Sequence, residues 1–151
     1  MKYFTDEWWN GGCSDERPIH EYRTYFASIE AELPKDIVEL EHKHTLHDSR
    51  VQSIICNLQD RSVLITLAGW NQAFQQRANY VLTFGGVEVF NQHLPIGTRV
   101  KRELGDLGYW EYELRAGKIE MRMLFESGAE LSLQFITFSF SRTQSAAQKA
   151  N

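Results

Sequence analysis

The chain changes its hydrophobic period once, near residue 48, and this change limits the folds that it can adopt. Before residue 48, apolar residues recur at alternating spacings of three and four: Ile19, Tyr22, Phe26, Ile29 and Leu33. This spacing places them on one face of a helix of about four turns. After residue 48, apolar and polar residues alternate, which is typical of half-buried strands. The pattern therefore predicts an α+β fold with one or two N-terminal helices packed on a meandering antiparallel sheet of six or seven strands.

Proline residues mark where the helical segments begin and end. Residues 14–18 are typical of a helix start, because acidic residues occupy the first turn and Pro18 lies near the first helical position. Pro34 ends this helix, and residues 35–41 predict a second, shorter one. The first seventeen residues show no period, and we expect them to be irregular.

Two hairpins near the C-terminus have registers that can be predicted. A two-residue turn at Ala116-Gly117 puts the large apolar side chains on one face, with these pairs: Leu114 with Ile119, Tyr112 with Met121, and Trp110 with Met123. For the next hairpin, a three-residue loop over residues 127–129 keeps the two faces separate, with these pairs: Phe125 with Leu131, Met123 with Leu133, and Met121 with Phe135. A slip by one residue would move every side chain to the opposite face.

The length of 151 residues predicts one domain. We expect a single α+β domain over residues 1–140. Residues 141–151 are polar and show no hydrophobic period, which predicts a flexible tail. Between two short apolar runs, Gly85-Gly86 fits either a two-residue hairpin turn or a bulge.

The charge of the chain disfavours a nucleic-acid partner. It carries 16 Lys and Arg residues against 20 Asp and Glu residues, a net charge of −4, whereas nucleic-acid binding depends on clustered basic residues. A mildly acidic surface suits a basic protein partner. No stretch approaches the roughly 18 apolar residues of a membrane span, and the N-terminus has no apolar signal segment. The chain has only two cysteines, which are too few for a disulfide framework. The cysteine count and the absence of these two apolar segments together favour the cytoplasm.

A cluster of histidines lies where the period changes. His42, His44, His47 and Asp48 fall within seven residues, and His93 lies further along the chain. Such residue types hold divalent metals and leave a position open for water, which predicts a small metal-binding protein or a metal-dependent hydrolase. The alternative interpretation is that His42 and His44 are solvated at a helix end, where cations are favoured, and that His47 and Asp48 begin a strand. Apart from this metal, the sequence implies no cofactor.

Other candidate catalytic groups have simpler explanations. Glu111 and Glu113 share a strand face, and a pair of carboxylates can act as general acid and general base. Neighbouring basic residues indicate cross-strand charge pairs instead. Cys13 follows two glycines and precedes a helix, a setting that can lower the pKa of a thiol, but glycine flexibility alone explains that pattern. We therefore assign no catalytic residue.

The remaining hypothesis is a non-enzymatic binding protein that occludes a protein partner by shape and charge. Aromatic and arginine side chains dominate protein interfaces. The candidate partner-binding residues are Trp8 and Trp9 in the irregular N-terminal segment and, on the sheet, Trp110, Glu111, Glu113 and Arg122. The last three share the sheet face that we expect to be open. A homo-oligomer that buries the same open sheet face is a further hypothesis.

Three short motifs resemble a known class of proteins: residues 1–5 (Met-Lys-Tyr-Phe-Thr), residues 46–49 (Leu-His-Asp-Ser) and residues 130–135 (Glu-Leu-Ser-Leu-Gln-Phe). Together they resemble small uncharacterised bacterial proteins of the domain-of-unknown-function kind. Some proteins of this size and α+β layout act as immunity proteins beside secreted toxins. The resemblance implies a bacterial cytoplasmic protein with an immunity-type or adaptor role, and it implies no catalytic residue.

Overall fold

The computed structural model describes residues 1–95 and 103–144. Its helical part contains three α-helices. They are α1 (Asp6–Asn10), α2 (Arg17–Ile29) and α3 (Lys35–Lys43), with a 3-10 turn at Glu30–Glu32 between the last two. The two predicted helices are confirmed as α2 and α3. The expectation of an irregular N-terminus is wrong for α1, whose first turn is capped by the Thr5 hydroxyl accepting from the backbone N–H of Trp8.

The strands form two antiparallel sheets of four among the described residues, so the prediction of one sheet of six or seven strands is wrong. The first sheet has the order β1-β2-β3-β8 and the second has the order β4-β7-β6-β5. The strands are β1 (Arg50–Asn57), β2 (Ser62–Trp70), β3 (Arg77–Gly85), β4 (Val89–His93), β5 (Leu107–Arg115), β6 (Lys118–Phe125), β7 (Glu130–Phe135) and β8 (Thr137–Gln144).

A bent two-stranded ribbon joins the two sheets and explains the difference. Gly85 pairs with Thr137 in the first sheet, and Val89 pairs with Gln134 in the second. Three residues separate Gly85 from Val89, but only two separate Gln134 from Thr137. The segment between β3 and β4 therefore carries one residue more than the segment opposite it, between β7 and β8. Gly86 adopts φ +60°, a conformation that favours glycine. The Gly85-Gly86 step is therefore a bulge, and strands change sheets at such bends.

The predicted register of the first C-terminal hairpin is confirmed, whereas that of the second is shifted. Trp110 pairs with Met123, as expected. In the second hairpin Met123 pairs with Leu131 and not with Leu133, because the three-residue loop begins one residue earlier and the backbone N–H of Phe125 donates to the carbonyl of Ala129 at 2.9 Å. A shift of two residues in the pairing leaves each side chain on its expected face.

Helix α2 lies along the edge strand β5 and accepts hydrogen bonds from two of its backbone N–H groups. The Tyr22 hydroxyl accepts from the backbone N–H of Tyr112 at 2.9 Å, and the Tyr25 hydroxyl accepts from that of Leu114 at 3.0 Å. Covering an edge strand in this way prevents it from pairing with another chain. Helix α3 packs on β8 and reaches β5 through Glu41, which accepts from the indole N–H of Trp110. The helices therefore bring the N-terminal third of the chain against the start of β5.

The hydrophobic core is one cluster that takes residues from α2, α3 and both sheets. Strand β8 continues to Gln144, which pairs with Ala78. Residues 141–144, predicted as the start of a flexible tail, therefore belong to the first sheet, and residues 145–151 lie outside the described residues. None of the helices in the described parts of the chain is long and apolar enough to cross a membrane.

Candidate binding pocket around Tyr109 and Trp110

The sequence led us to expect Glu111 on an open sheet face. In the structure Glu111 is buried, with only 1% of its surface exposed. Its carboxylate accepts from the backbone N–H groups of Lys2, Tyr3 at 2.9 Å and Phe4 at 3.3 Å. It also accepts from Arg122 Nη1 at 2.8 Å. The carboxylate therefore fixes the N-terminal segment against β5, and this is what positions the ring of Phe4.

Arg122 joins three carboxylates on the same sheet face. Its guanidinium donates to Glu111, to Glu113 and to Glu120 Oε1, the last at 3.0 Å. The Arg122, Glu113 and Glu120 side chains are only 11–14% exposed. Hydrogen bonds from Arg115 and then from Arg122 lower the pKa of Glu113. The charges of this predicted surface are thus largely engaged with one another.

The predicted anchors Trp8 and Trp9 converge on Tyr109, at the start of β5. The centroid of the Tyr109 ring lies 5.0 Å from that of Trp8, 5.4 Å from that of Trp9 and 5.2 Å from that of Phe4. Gly108 permits the close approach of Trp9, since a Cβ at this position would lie 2.2 Å from the indole ring. The N-terminal aromatic residues therefore form one packed cluster with β5.

A pocket of about 240 Å³ opens beside this cluster. It is lined by aromatic, aliphatic and charged side chains from the N-terminal segment, α2, α3 and β5: Phe4, Ile19, Tyr22, Arg23, Glu41, Tyr109 and Trp110. The ring of Phe4 is 5.2 Å from that of Tyr22, so these walls support one another. Packed walls of this kind are typical of preformed ligand pockets.

Glu41 supplies the carboxylate of the pocket. Its Oε2 accepts from the indole Nε1–H of Trp110 at 2.9 Å, and burial raises the pKa of Glu41 above its ordinary value. Sequence reasoning missed this residue. The signal was present, because Glu41 follows Ile37 by four residues and therefore shares its helix face, on which a carboxylate is unusual.

The structure does not bring the predicted metal ligands together. Nε2 of His42 lies 2.5 Å from Oε1 of Glu30. The ring of His44 packs against the rings of Tyr80 and Phe140. His47 Nδ1 donates to the carbonyl of Gly108 at 2.5 Å, and its Nε2 lies 3.5 Å from Asp48. His93 is exposed at the end of β4, in the second sheet. The described ranges contain no group of three or more His, Cys, Asp or Glu residues that could hold a metal.

Cys13 lies beside the Tyr109 hydroxyl and does not line the pocket. Its Sγ is 3.6 Å from the Tyr109 hydroxyl, and its backbone adopts φ +53°. Burial, followed by the contact with Cys13, raises the pKa of Tyr109 to about 12. The phenol therefore stays protonated near neutral pH.

Comparison with known proteins places most of the chain in one family. A family model described as "Protein of unknown function (DUF4085)" matches residues 7–132. No curated protein matches the chain, and no solved structure matches it. The matched range contains every residue that lines the pocket except Phe4.

Proposed function

We propose that this chain, which belongs to the DUF4085 family of proteins of unknown function, is a non-enzymatic binding protein that occludes a protein partner. The more specific form of the proposal is an immunity-type or adaptor protein of the bacterial cytoplasm. The observation that carries it is the pocket walled by Phe4, Tyr22, Tyr109 and Trp110. Aromatic pockets with fixed walls are where protein interfaces concentrate their binding energy.

The hydrogen bonds of the site support a pocket whose shape is set before a partner arrives. Glu111 holds the backbone of residues 2–4, so Phe4 keeps its place without a ligand. The indole of Trp110 is oriented by Glu41, and the hydroxyl of Tyr22 by the backbone of β5. A preformed site loses less conformational entropy on binding than a mobile one.

The candidate binding residues accordingly divide into two roles in this proposal. Trp110 lines the pocket, and Trp8 and Trp9 hold Tyr109, which also lines it. The charged residues on the sheet are positioning residues, because Glu111, Glu113 and Arg122 hold one another and the N-terminal segment. The net charge of −4 favours a partner that is basic.

A pair of matched tryptophan variants tests the proposal. Partner proteins are first captured from the source cell on the immobilised full-length chain, and they are then identified and purified. Calorimetry next measures the Kd of each partner for wild type, Trp110→Ala and Trp70→Ala. Trp70 lies at the end of β2, stacked on Arg77, and does not line the pocket. We expect Trp110→Ala to weaken binding by about 30-fold, the typical effect of a hot-spot residue, and Trp70→Ala to have little effect. Equal affinities for all three proteins would contradict the proposal.

A further inference from the structure

We propose that the pocket binds a cationic side chain of the partner, an alkylammonium or guanidinium group, held by the aromatic rings and by the carboxylate of Glu41. This inference rests on the proposed function, because it names the chemistry of the group that enters the same pocket. It concerns the ligand of the pocket and not the identity of the partner.

The rings supply the first part of the argument. Phe4 lies 5.2 Å from both Tyr22 and Tyr109, measured between ring centroids, so three rings meet on one side of the pocket. Trp110 forms a further wall. Aromatic faces carry partial negative charge and attract cations, and several rings around one site are the usual way in which proteins recognise ammonium groups.

The carboxylate of Glu41 supplies the second part. Among the described residues it receives one hydrogen bond, from Trp110, and no Lys or Arg side chain there forms an ion pair with it. A carboxylate that is removed from water without a cation is destabilised. His42 acts on Glu41 through its charge but forms its ion pair with Glu30. A ligand ammonium would give the Glu41 carboxylate a direct ion pair.

Arg23, at the rim of the pocket, sets a limit on this electrostatic attraction. It lines the pocket but is exposed, so its charge is screened by water and salt, whereas that of Glu41 is partly shielded from solvent. Arg23 still opposes the approach of a cation. Removing its charge should therefore strengthen cation binding, which is the opposite of what an anion site would show.

The size of the pocket fits one side chain. Its volume of about 240 Å³ lies below the range of roughly 300–1,000 Å³ that is typical of pockets for cofactors and drug-sized ligands. A single lysine-like or arginine-like group matches this space, and the rest of a protein partner would then contact the surrounding surface.

The test titrates full-length protein with n-butylammonium chloride, a mimic of the lysine side chain, while the indole Nε1–H resonance of Trp110 is followed by NMR. 1-Butanol is the neutral probe of the same shape, and sodium butyrate is the anionic one. We expect a saturable shift with butylammonium alone and a Kd on the order of millimolar, as is usual for a ligand of so few atoms.

Two variants separate the cation site from a purely structural role of Glu41. Glu41→Gln keeps an oxygen that accepts from Trp110 but removes the charge, and we expect butylammonium binding to weaken at least tenfold. Arg23→Gln should strengthen it about twofold. The melting temperature of each variant shows that it is folded, and the comparison of the three probes on wild type does not depend on any variant.

Any of three results would overturn the inference. The first is 1-butanol shifting the Trp110 resonance as strongly as butylammonium, and the second is a folded Glu41→Gln protein binding butylammonium as wild type does. The third is the absence of any shift with butylammonium. The two proposals fail separately. If Trp110→Ala abolishes partner binding while butylammonium does not bind, the binding function stands and the cation site is wrong.

Discussion

Arg122 Nη1 donates to Glu111 Oε1 at 2.8 Å in a part of the molecule where the Glu111 side chain is 1% exposed. The same carboxylate accepts from the backbone of residues 2–4. One buried carboxylate thus links the N-terminal segment to the distant β5–β6 hairpin. Because Phe4 lines the pocket, the ion pair determines the shape of a site that it does not itself line.

Replacing Glu111 should therefore destabilise the whole domain. Glu111→Ala leaves the Arg122 charge without its most buried partner and three backbone N–H groups without an acceptor, and we expect a loss of about 3 kcal/mol in the free energy of unfolding. Urea denaturation measures it. Glu21→Ala, at an exposed position of α2, is the control and should change stability by less than about 0.5 kcal/mol. Similar values for both variants would contradict the role that we give to Glu111.

Glu41 predicts an unusual dependence of stability on pH. Because burial raises the pKa of Glu41 in the folded state, the folded protein binds its proton more tightly than the unfolded protein does. The stabilisation that the protonated Glu41 contributes is therefore fully present below the pKa of Glu41 in the unfolded protein. It is lost as the pH rises through the pKa of Glu41 in the folded protein. The groups that face or act on Glu41 are Tyr22, Tyr112, Trp110, Arg23 and His42.

The corresponding variant is Glu41→Gln, which stays uncharged at every pH. We expect its melting temperature to exceed that of wild type by about one to a few degrees at pH 7. The difference should vanish at a pH below the ordinary pKa of glutamate. Scanning calorimetry from pH 3 to pH 8, a range chosen to bracket the ordinary glutamate pKa, measures this trend. A difference that grows toward acid pH would have the wrong sign and would refute the assignment.

Gly108 limits what can stand beside Trp9. A Cβ at this position would meet three atoms of the indole ring within 2.7 Å, so Gly108→Ala forces the ring away from Tyr109. We expect a destabilisation of about 1–3 kcal/mol, as for other overpacked sites. In the double variant Gly108→Ala, Trp9→Ala the indole ring is absent and the clash is removed. We therefore expect Gly108→Ala to cost less free energy of unfolding in the Trp9→Ala background than in wild type. Strictly additive effects of the two substitutions would show that no such clash exists.

Strand β1 is an edge of the first sheet, and after Arg50 it carries no charged residue up to its end at Asn57. Ile55 is 58% exposed on it, and unprotected edges of this kind pair with other chains. We expect Ile55→Lys to reduce self-association at high protein concentration, measured by light scattering, with little change in melting temperature. Thr66→Lys, on the neighbouring strand β2, is the control for added charge alone. Unchanged association of Ile55→Lys would contradict this role of the β1 edge.

Much of the local structure could be predicted from residue patterns, and the errors occur where distant segments meet. The period of Tyr22, Phe26 and Ile29 identified α2, and the alternation around Trp110 predicted its pairing with Met123, because both depend on residues close in sequence. The second hairpin kept its faces but not its register. Its loop begins at Glu126, and the alternation of side chains is the same for both loop positions.

Sequence alone determined the helices α2 and α3, the antiparallel character of the strands and the faces of the C-terminal hairpins, because short-range spacing controls each of them. Only the tertiary structure decided that the strands divide into two sheets at the bulge beside Gly86. It also decided that Glu111 is buried beneath residues 2–4 and that Glu41 meets Trp110 across 69 positions of chain. These contacts depend on how the N-terminal segment and the helices pack against β5, which no local pattern encodes.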